Sequence, residues 1–125
     1  MIYLDTHVIV WLYAGQVSRI PQTAQSMIEE QDVCISPMVV LELSYLHEIE
    51  RLSVDAPVIV ESLEASLGLC VCTMPFHQLV MEAAAQKWTR DPFDRIIASN
   101  AICAGSPLLT KDATILAHCS TATWY

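Results

Sequence analysis

Short apolar segments alternate with helical stretches along the whole chain, and this alternation restricts the fold more than any other feature. Ile2 to Leu4 has the length and β-branched start of a buried strand and runs straight into Asp5-Thr6, after which Val8 to Tyr13 can form a short helix. A second helix is predicted from Pro21 to about Glu30 with Ala24, Met27 and Ile28 as its buried stripe, followed by a strand over Asp32 to Ile35. Ser36-Pro37 then supplies an N-cap and a proline at the first helical position, where the missing N–H costs nothing, so a long helix runs from Pro37 to about Ile49. The next helix spans Pro57 to Leu67 and stops at Gly68; Leu69 to Met74 reads as the third strand and Pro75 opens a helix to about Lys87. Asp91-Pro92 repeats the cap-plus-proline signal for a helix that reaches Ala104 and ends at Gly105. Pro107 to Thr110 is a short strand, and strand-like residues return at Thr121 to Trp124.

Such alternation calls for parallel strands joined by right-handed crossovers, with helices over both sheet faces. The predicted fold class is therefore α/β, a three-layer α/β/α sandwich around a short, mainly parallel sheet. At 125 residues the chain fits one domain over 1–125. In open sheets of this kind chemistry collects beyond the carboxyl ends of the strands, near the point where strand order reverses.

Composition narrows the function classes. With 54% hydrophobic and 16% charged residues the chain lies far from the disordered regime. Its five cysteines are an odd number scattered through apolar runs, which reads as packing and not as a disulfide framework or a zinc site; Cys70 and Cys72 would share one face of the third strand. The N-terminus lacks a basic region ahead of an apolar stretch, and no apolar run reaches the roughly 18 residues of a membrane span, so a cytoplasmic location is expected. Six Lys and Arg against fourteen Asp and Glu give a formal charge of -8. That balance disfavours a scaffold that grips nucleic acid through basic side chains. It is compatible with an enzyme whose bound cations supply the positive charge, and with a basic partner protein.

Four acids stand where periodicity should not put a carboxylate. Asp5 and Asp112 each follow an apolar strand segment; either can be a turn or cap residue alone, but two parallel strands ending in Asp bring both carboxylates to one rim of the sheet. Glu42 lies on an apolar helical stripe with Met38, Val39, Tyr45 and Leu46 at helical spacing, and no Lys or Arg is near it in sequence. Asp94 takes the third helical position after the N-cap Asp91, where helix stability alone could explain it. Its neighbours Phe93, Ile96 and Ile97 commit this turn to the core, and Ala98 and Ala101 leave the face below it clear for a substrate or a sheet edge.

Converging carboxylates need a counter-charge, since two unit charges about 4 Å apart at an effective dielectric near 20 repel by roughly 4 kcal/mol. Oxygen-only ligands suit magnesium or manganese, and they offer none of the thiolate or imidazole of a zinc centre; His7 is the one nearby nitrogen, read as a solvated or capping residue. Such an ion activates water and stabilises charge at a phosphodiester. Thr6 and Thr110 are candidates to position water or phosphate, and Arg90 and Arg95 to contact phosphate.

At these residues the sequence resembles the PIN-domain family, and within it the VapC-like toxins. The resemblance is carried by Asp5-Thr6-His7 after the first strand, by Leu41-Glu42-Leu43, by the run from Arg90 to Ala98, and by Leu108-Leu109-Thr110-Lys111-Asp112, in that order over nearly the whole chain. It implies an acidic metal cluster to which Asp5, Glu42, Asp94 and Asp112 correspond, holding Mg2+ or Mn2+. It further implies a homodimer, hydrolysis of RNA to 5′-phosphate and 3′-hydroxyl ends, and inhibition by a small antitoxin that itself binds operator DNA. Thr89 and Asn100 stand where many relatives carry His and Gln. Grooves made by the early helices are the expected antitoxin site.

Three rival readings make different demands. A housekeeping RNA- or DNA-processing nuclease of the same family would share the chemistry; a degenerate interaction module would have lost one or more acids, and all four are present. A phosphoacceptor receiver domain would want its Asp after the central strand, and Leu69 to Met74, taken as that strand, ends without one.

Overall fold

A computed structural model describes residues 1–124. Five parallel strands form one sheet, β1 (Ile2–Leu4), β2 (Val33–Ile35), β3 (Cys70–Val71), β4 (Leu108–Leu109) and β5 (Ala122–Thr123), in the order β3-β2-β1-β4-β5. Seven helices connect them: α1 (Thr6–Tyr13), α2 (Gln22–Glu30), α3 (Pro37–Glu48), α4 (Ala56–Leu67), α5 (Phe76–Ala85), α6 (Pro92–Ala104) and α7 (Ala113–His118). All three residues of β1 and of β2 are buried, so side chains on both faces of the sheet are covered. This is the α/β architecture expected, with the sheet parallel throughout. Among the described residues no helix is long and apolar enough to cross a membrane.

Capping chemistry sets most boundaries. Ser36 Oγ accepts from Met38 N at 3.1 Å ahead of Pro37, and Asp91 Oδ1 accepts from Phe93 N at 2.9 Å ahead of Pro92. Gly105 closes α6 in the left-handed conformation, φ 62°, which a side chain would strain. The first helix begins at Thr6, not Val8, because Asp5 caps it directly by accepting from Thr6 N at 2.7 Å. In the same way Asp112 caps α7, a helix the apolar periodicity of so short a segment did not reveal, and a 3-10 turn at Val17–Arg19 likewise carries no sequence signal.

The third strand is the main departure. It shrinks to two residues at the edge of the sheet, so Cys70 is exposed and Cys72 half-buried, and packing does not account for both. The five cysteines are free thiols. The central strand is β1, which does end in an aspartate, so the reason given above against a receiver domain fails. The strand order excludes it instead, because the flavodoxin-like arrangement of receivers runs 2-1-3-4-5. Ala98 and Ala101 are fully buried in the core, so their small size serves close packing and not the approach of a substrate.

Strand order reverses at β1. From it the chain steps outward to β2 and β3, then returns to the other side with β4 and β5. The crevice between the carboxyl ends of β1 and β4 is therefore where this topology favours a site.

Candidate active site

Asp5 and Thr110 leave neighbouring strands at that crevice. Thr110 Oγ1 donates to Asp5 Oδ2 at 2.6 Å and accepts from Asp112 N at 3.0 Å, so one buried hydroxyl aligns both acids. Asp5 is only 4% exposed, with Oδ1 held by the Thr6 amide. The Thr6 hydroxyl donates to Glu42 Oε1, which brings α3 to the same place. Glu42 thus finds a hydroxyl where no cation was available in sequence. The Tyr45 and Phe93 rings, centroids 6.0 Å apart, join α3 to α6 beside Glu42 and Asp94.

Asp5, Glu42, Asp94 and Asp112 all line one open cleft of about 430 Å³. Asp91, the N-cap of α6, lines it as well. Among the described residues that line it, Arg51 is the single strong base. Arg51 was not anticipated. It enters because α3 ends in a turn whose residue Glu50 has φ 63°, a left-handed position without the usual glycine to announce it, and Arg51 N donates to Leu46 O at 2.8 Å.

The acids strain one another electrostatically. Burial first, then the charges of Asp91, Asp5, Asp112 and Glu42, push the Asp94 carboxyl from an ordinary 3.8 to about 7. Burial also raises the Glu42 carboxyl, opposed by the Thr6 hydroxyl and reinforced by Asp5 and Asp91. Among the described residues no three His, Cys, Asp or Glu side chains are drawn tightly enough together to close round an ion. The donor set itself fits magnesium or manganese, being all carboxylate oxygen with little opposing positive charge.

His7 is not a free nitrogen ligand. Its Nε2 accepts from Lys111 N at 2.8 Å, which leaves the proton on Nδ1, 3.7 Å from Asp5 Oδ2. Burial, outweighing Asp5 and Asp112, lowers its pKa and keeps the ring neutral. The two arginines proposed for phosphate contact do not line the cleft. Arg95 points to the end of α5, donating from Nε to Ala83 O at 3.1 Å and from Nη2 to Ala84 O at 3.4 Å, and Arg90 lies exposed ahead of the α6 cap. Of the two positions that depart from many relatives, Thr89 supports the α6 cap, its hydroxyl accepting from Asp91 N at 3.2 Å. Asn100 is fully buried, and neither atom of its amide has a hydrogen-bond partner among the described residues.

A PIN-domain model matches residues 2–119. The chain belongs to the PIN-domain family. This PIN domain is 31% identical over 121 residues to Ribonuclease VapC22 of Mycobacterium tuberculosis (strain ATCC 25618 / H37Rv), covering 94% of the chain and 91% of that relative. Its fold is similar to a toxin–antitoxin complex from Klebsiella pneumoniae, with a TM-score of 0.68 at 15% identity over 98% of this chain and 96% of that one. It is also similar to VapBC2 from Rickettsia felis bound to a DNA fragment from their promoter, with a TM-score of 0.64 at 19% identity over the full length of both chains. A third match is VapBC-1 from nontypeable Haemophilus influenzae, at a TM-score of 0.60 and 18% identity, covering 100% of this chain and 97% of that one. At these identities the structural likeness is one of fold.

Proposed function

We propose that the protein is a magnesium- or manganese-dependent endoribonuclease and the toxin half of a toxin–antitoxin pair. The observation that carries the chemistry is the gathering of Asp5, Glu42, Asp91, Asp94 and Asp112 around one cleft in which, among the described residues, Arg51 is the single strong base. The substrate class and the biology rest on the similarity to a VapC ribonuclease over most of both chains and on the toxin–antitoxin complexes among structures of the same fold.

Asp5, Glu42, Asp94 and Asp112 would hold the ion, with Asp91 at the rim. When bound, it would supply positive charge for the scissile phosphate and make water a stronger nucleophile. The protein's own part is orientation: Thr110 fixes Asp5 and the start of α7, Thr6 fixes Glu42, and neutral His7 accepts from the Lys111 backbone with its Nδ1 3.7 Å from Asp5 Oδ2. Arg51 is placed to meet a phosphate oxygen in a cleft that otherwise repels polyanions.

Two apolar grooves support the protein partners. One, bordered by Leu12, Val17 and Ile28 of the early helices and the turn between them and by Leu67 at the end of α4, suits the apolar face of an antitoxin helix. The other, holding Leu41 and Phe76, which are 56% and 63% exposed, suits a second copy in a homodimer. With a net charge of -8 the chain would meet operator DNA only through the antitoxin. The test is incubation of purified protein with total cellular RNA in manganese, magnesium or chelator, with ends mapped. Metal-dependent cuts bearing 5′-phosphates, absent with Asp94→Asn protein, are expected; undiminished cleavage in chelator would overturn the reading.

A further inference from the structure

Part of the cleft lining has a different chemistry from the acids. Trp11 lines the cleft together with His7, and their ring centroids lie 5.1 Å apart. The Trp124 ring stands 6.0 Å from both. The Arg19 guanidinium is 5.7 Å from the Trp11 ring centroid, and the Lys111 ammonium 5.8 Å. In a chain with six Lys and Arg, Arg19, Lys111 and the cleft residue Arg51 gather around one site, although the overall charge is -8. Packing alone would ask for an apolar side chain at position 11. It would not ask for cations on the ring.

We propose that Trp11, backed by Trp124 and flanked by Arg19 and Lys111, is a stacking platform for one base of a single-stranded RNA entering the acidic cleft. The identity of the ligand as RNA rests on the nuclease reading above. An exposed cation over an aromatic face contributes about 0.5–1 kcal/mol, whereas stacking a base on such a face is worth about 1–3 kcal/mol. An incoming base therefore displaces the cations from the ring, and they move onto the flanking phosphates. Lys111 is anchored for this by its own backbone, since its N–H donates to His7 Nε2 and its neighbour is Asp112. The platform sets where the strand lies relative to the acids, which makes Trp11 a positioning residue.

The experiment measures binding apart from cleavage, by fluorescence anisotropy of a labelled single-stranded oligoribonucleotide with Asp94→Asn protein in magnesium. In that background Trp11→Leu keeps apolar bulk and Trp11→Phe keeps a ring. The proposal expects Trp11→Leu to weaken binding by roughly fivefold or more and Trp11→Phe to restore most of it. An oligonucleotide of the same length with abasic positions should bind the Trp11 protein as weakly as the intact strand binds Trp11→Leu. Equal binding by all three proteins, equal binding of intact and abasic strands, or no binding at all overturns the platform. If Trp11→Leu does not fold, the comparison of intact and abasic strands on the Trp11 protein still decides. Metal-dependent cleavage by wild-type protein with binding indifferent to Trp11 removes the platform and leaves the nuclease. Binding that depends on Trp11 without any cleavage does the reverse.

Discussion

The Thr110 hydroxyl donates to Asp5 Oδ2 at 2.6 Å, linking residues 105 positions apart across the carboxyl ends of two adjacent strands. Thr110 Oγ1 also accepts from the Asp112 amide, so the two acids share one buried orienting group. Thr110→Val would leave an aspartate oxygen and a backbone N–H without partners, at about 1–3 kcal/mol for each group. Thermal melting should show a clear loss for Thr110→Val and near-recovery for Thr110→Ser. Loss in Thr110→Ser with little in Thr110→Val would assign the residue to methyl packing.

Charge-neutral replacements of two acids should move stability in opposite directions in metal-free protein. Asp94 sits among like charges, so Asp94→Asn relieves repulsion and should raise the melting temperature. Asp5 caps α1 and receives the Thr110 hydroxyl; Asp5→Asn presents a donor to one of those partners and should cost about 1 kcal/mol of stability and lower the melting temperature. Melting in chelator checks both signs.

The pH dependence follows from the same crowding. Asp94 has its folded pKa raised to about 7, so between the unfolded value near 4 and 7 the folded protein binds a proton the unfolded chain does not. The associated stability is fully present below the unfolded value and is lost as pH rises through 7, and Glu42, also raised, acts in the same direction. Metal-free protein should melt higher at pH 6 than at pH 8, with a smaller difference for Asp94→Asn. A melting temperature that climbs from pH 6 to pH 8 in chelator would contradict the crowding of these carboxylates.

Much of this arrangement was legible in the chain because it depends on local chemistry. A strand that runs into Asp5 and a Ser-Pro or Asp-Pro pair that starts a helix are short-range signals, and they locate β1, α3 and α6 within a residue or two. The odd placement of Glu42 on an apolar stripe pointed to the cleft for the same reason. What escaped needed tertiary information. Arg51 reaches the cleft through a left-handed turn at Glu50, where no glycine marks the site, and Arg95 faces α5 because a carbonyl-rich helix end lies within its reach. The length of β3 is set by its place at the sheet edge, which depends on strand order and not on its own residues.

These two arginines therefore predict a contrast. Arg51→Met should raise the KM for RNA cleavage with little change in melting temperature, because its side chain serves the cleft. Arg95→Met should lower stability by about 1–2 kcal/mol, and the melting temperature with it, through loss of its charged hydrogen bonds to Ala83 and Ala84. Steady-state kinetics and melting on both variants separate the roles. An Arg95→Met protein with normal stability and a raised KM would reverse them.

The convergence of the acids on a divalent ion is tested most directly by melting the wild-type and Asp94→Asn proteins in rising manganese. A ligand that binds only the folded state stabilises it by RT ln(1 + [L]/Kd), about 2.7 kcal/mol at a hundredfold excess over Kd. The wild-type melting temperature should climb with manganese, and with magnesium at higher concentration, while that of Asp94→Asn, higher at the start, should respond weakly. A wild-type melting curve unmoved by millimolar manganese and magnesium would contradict the account.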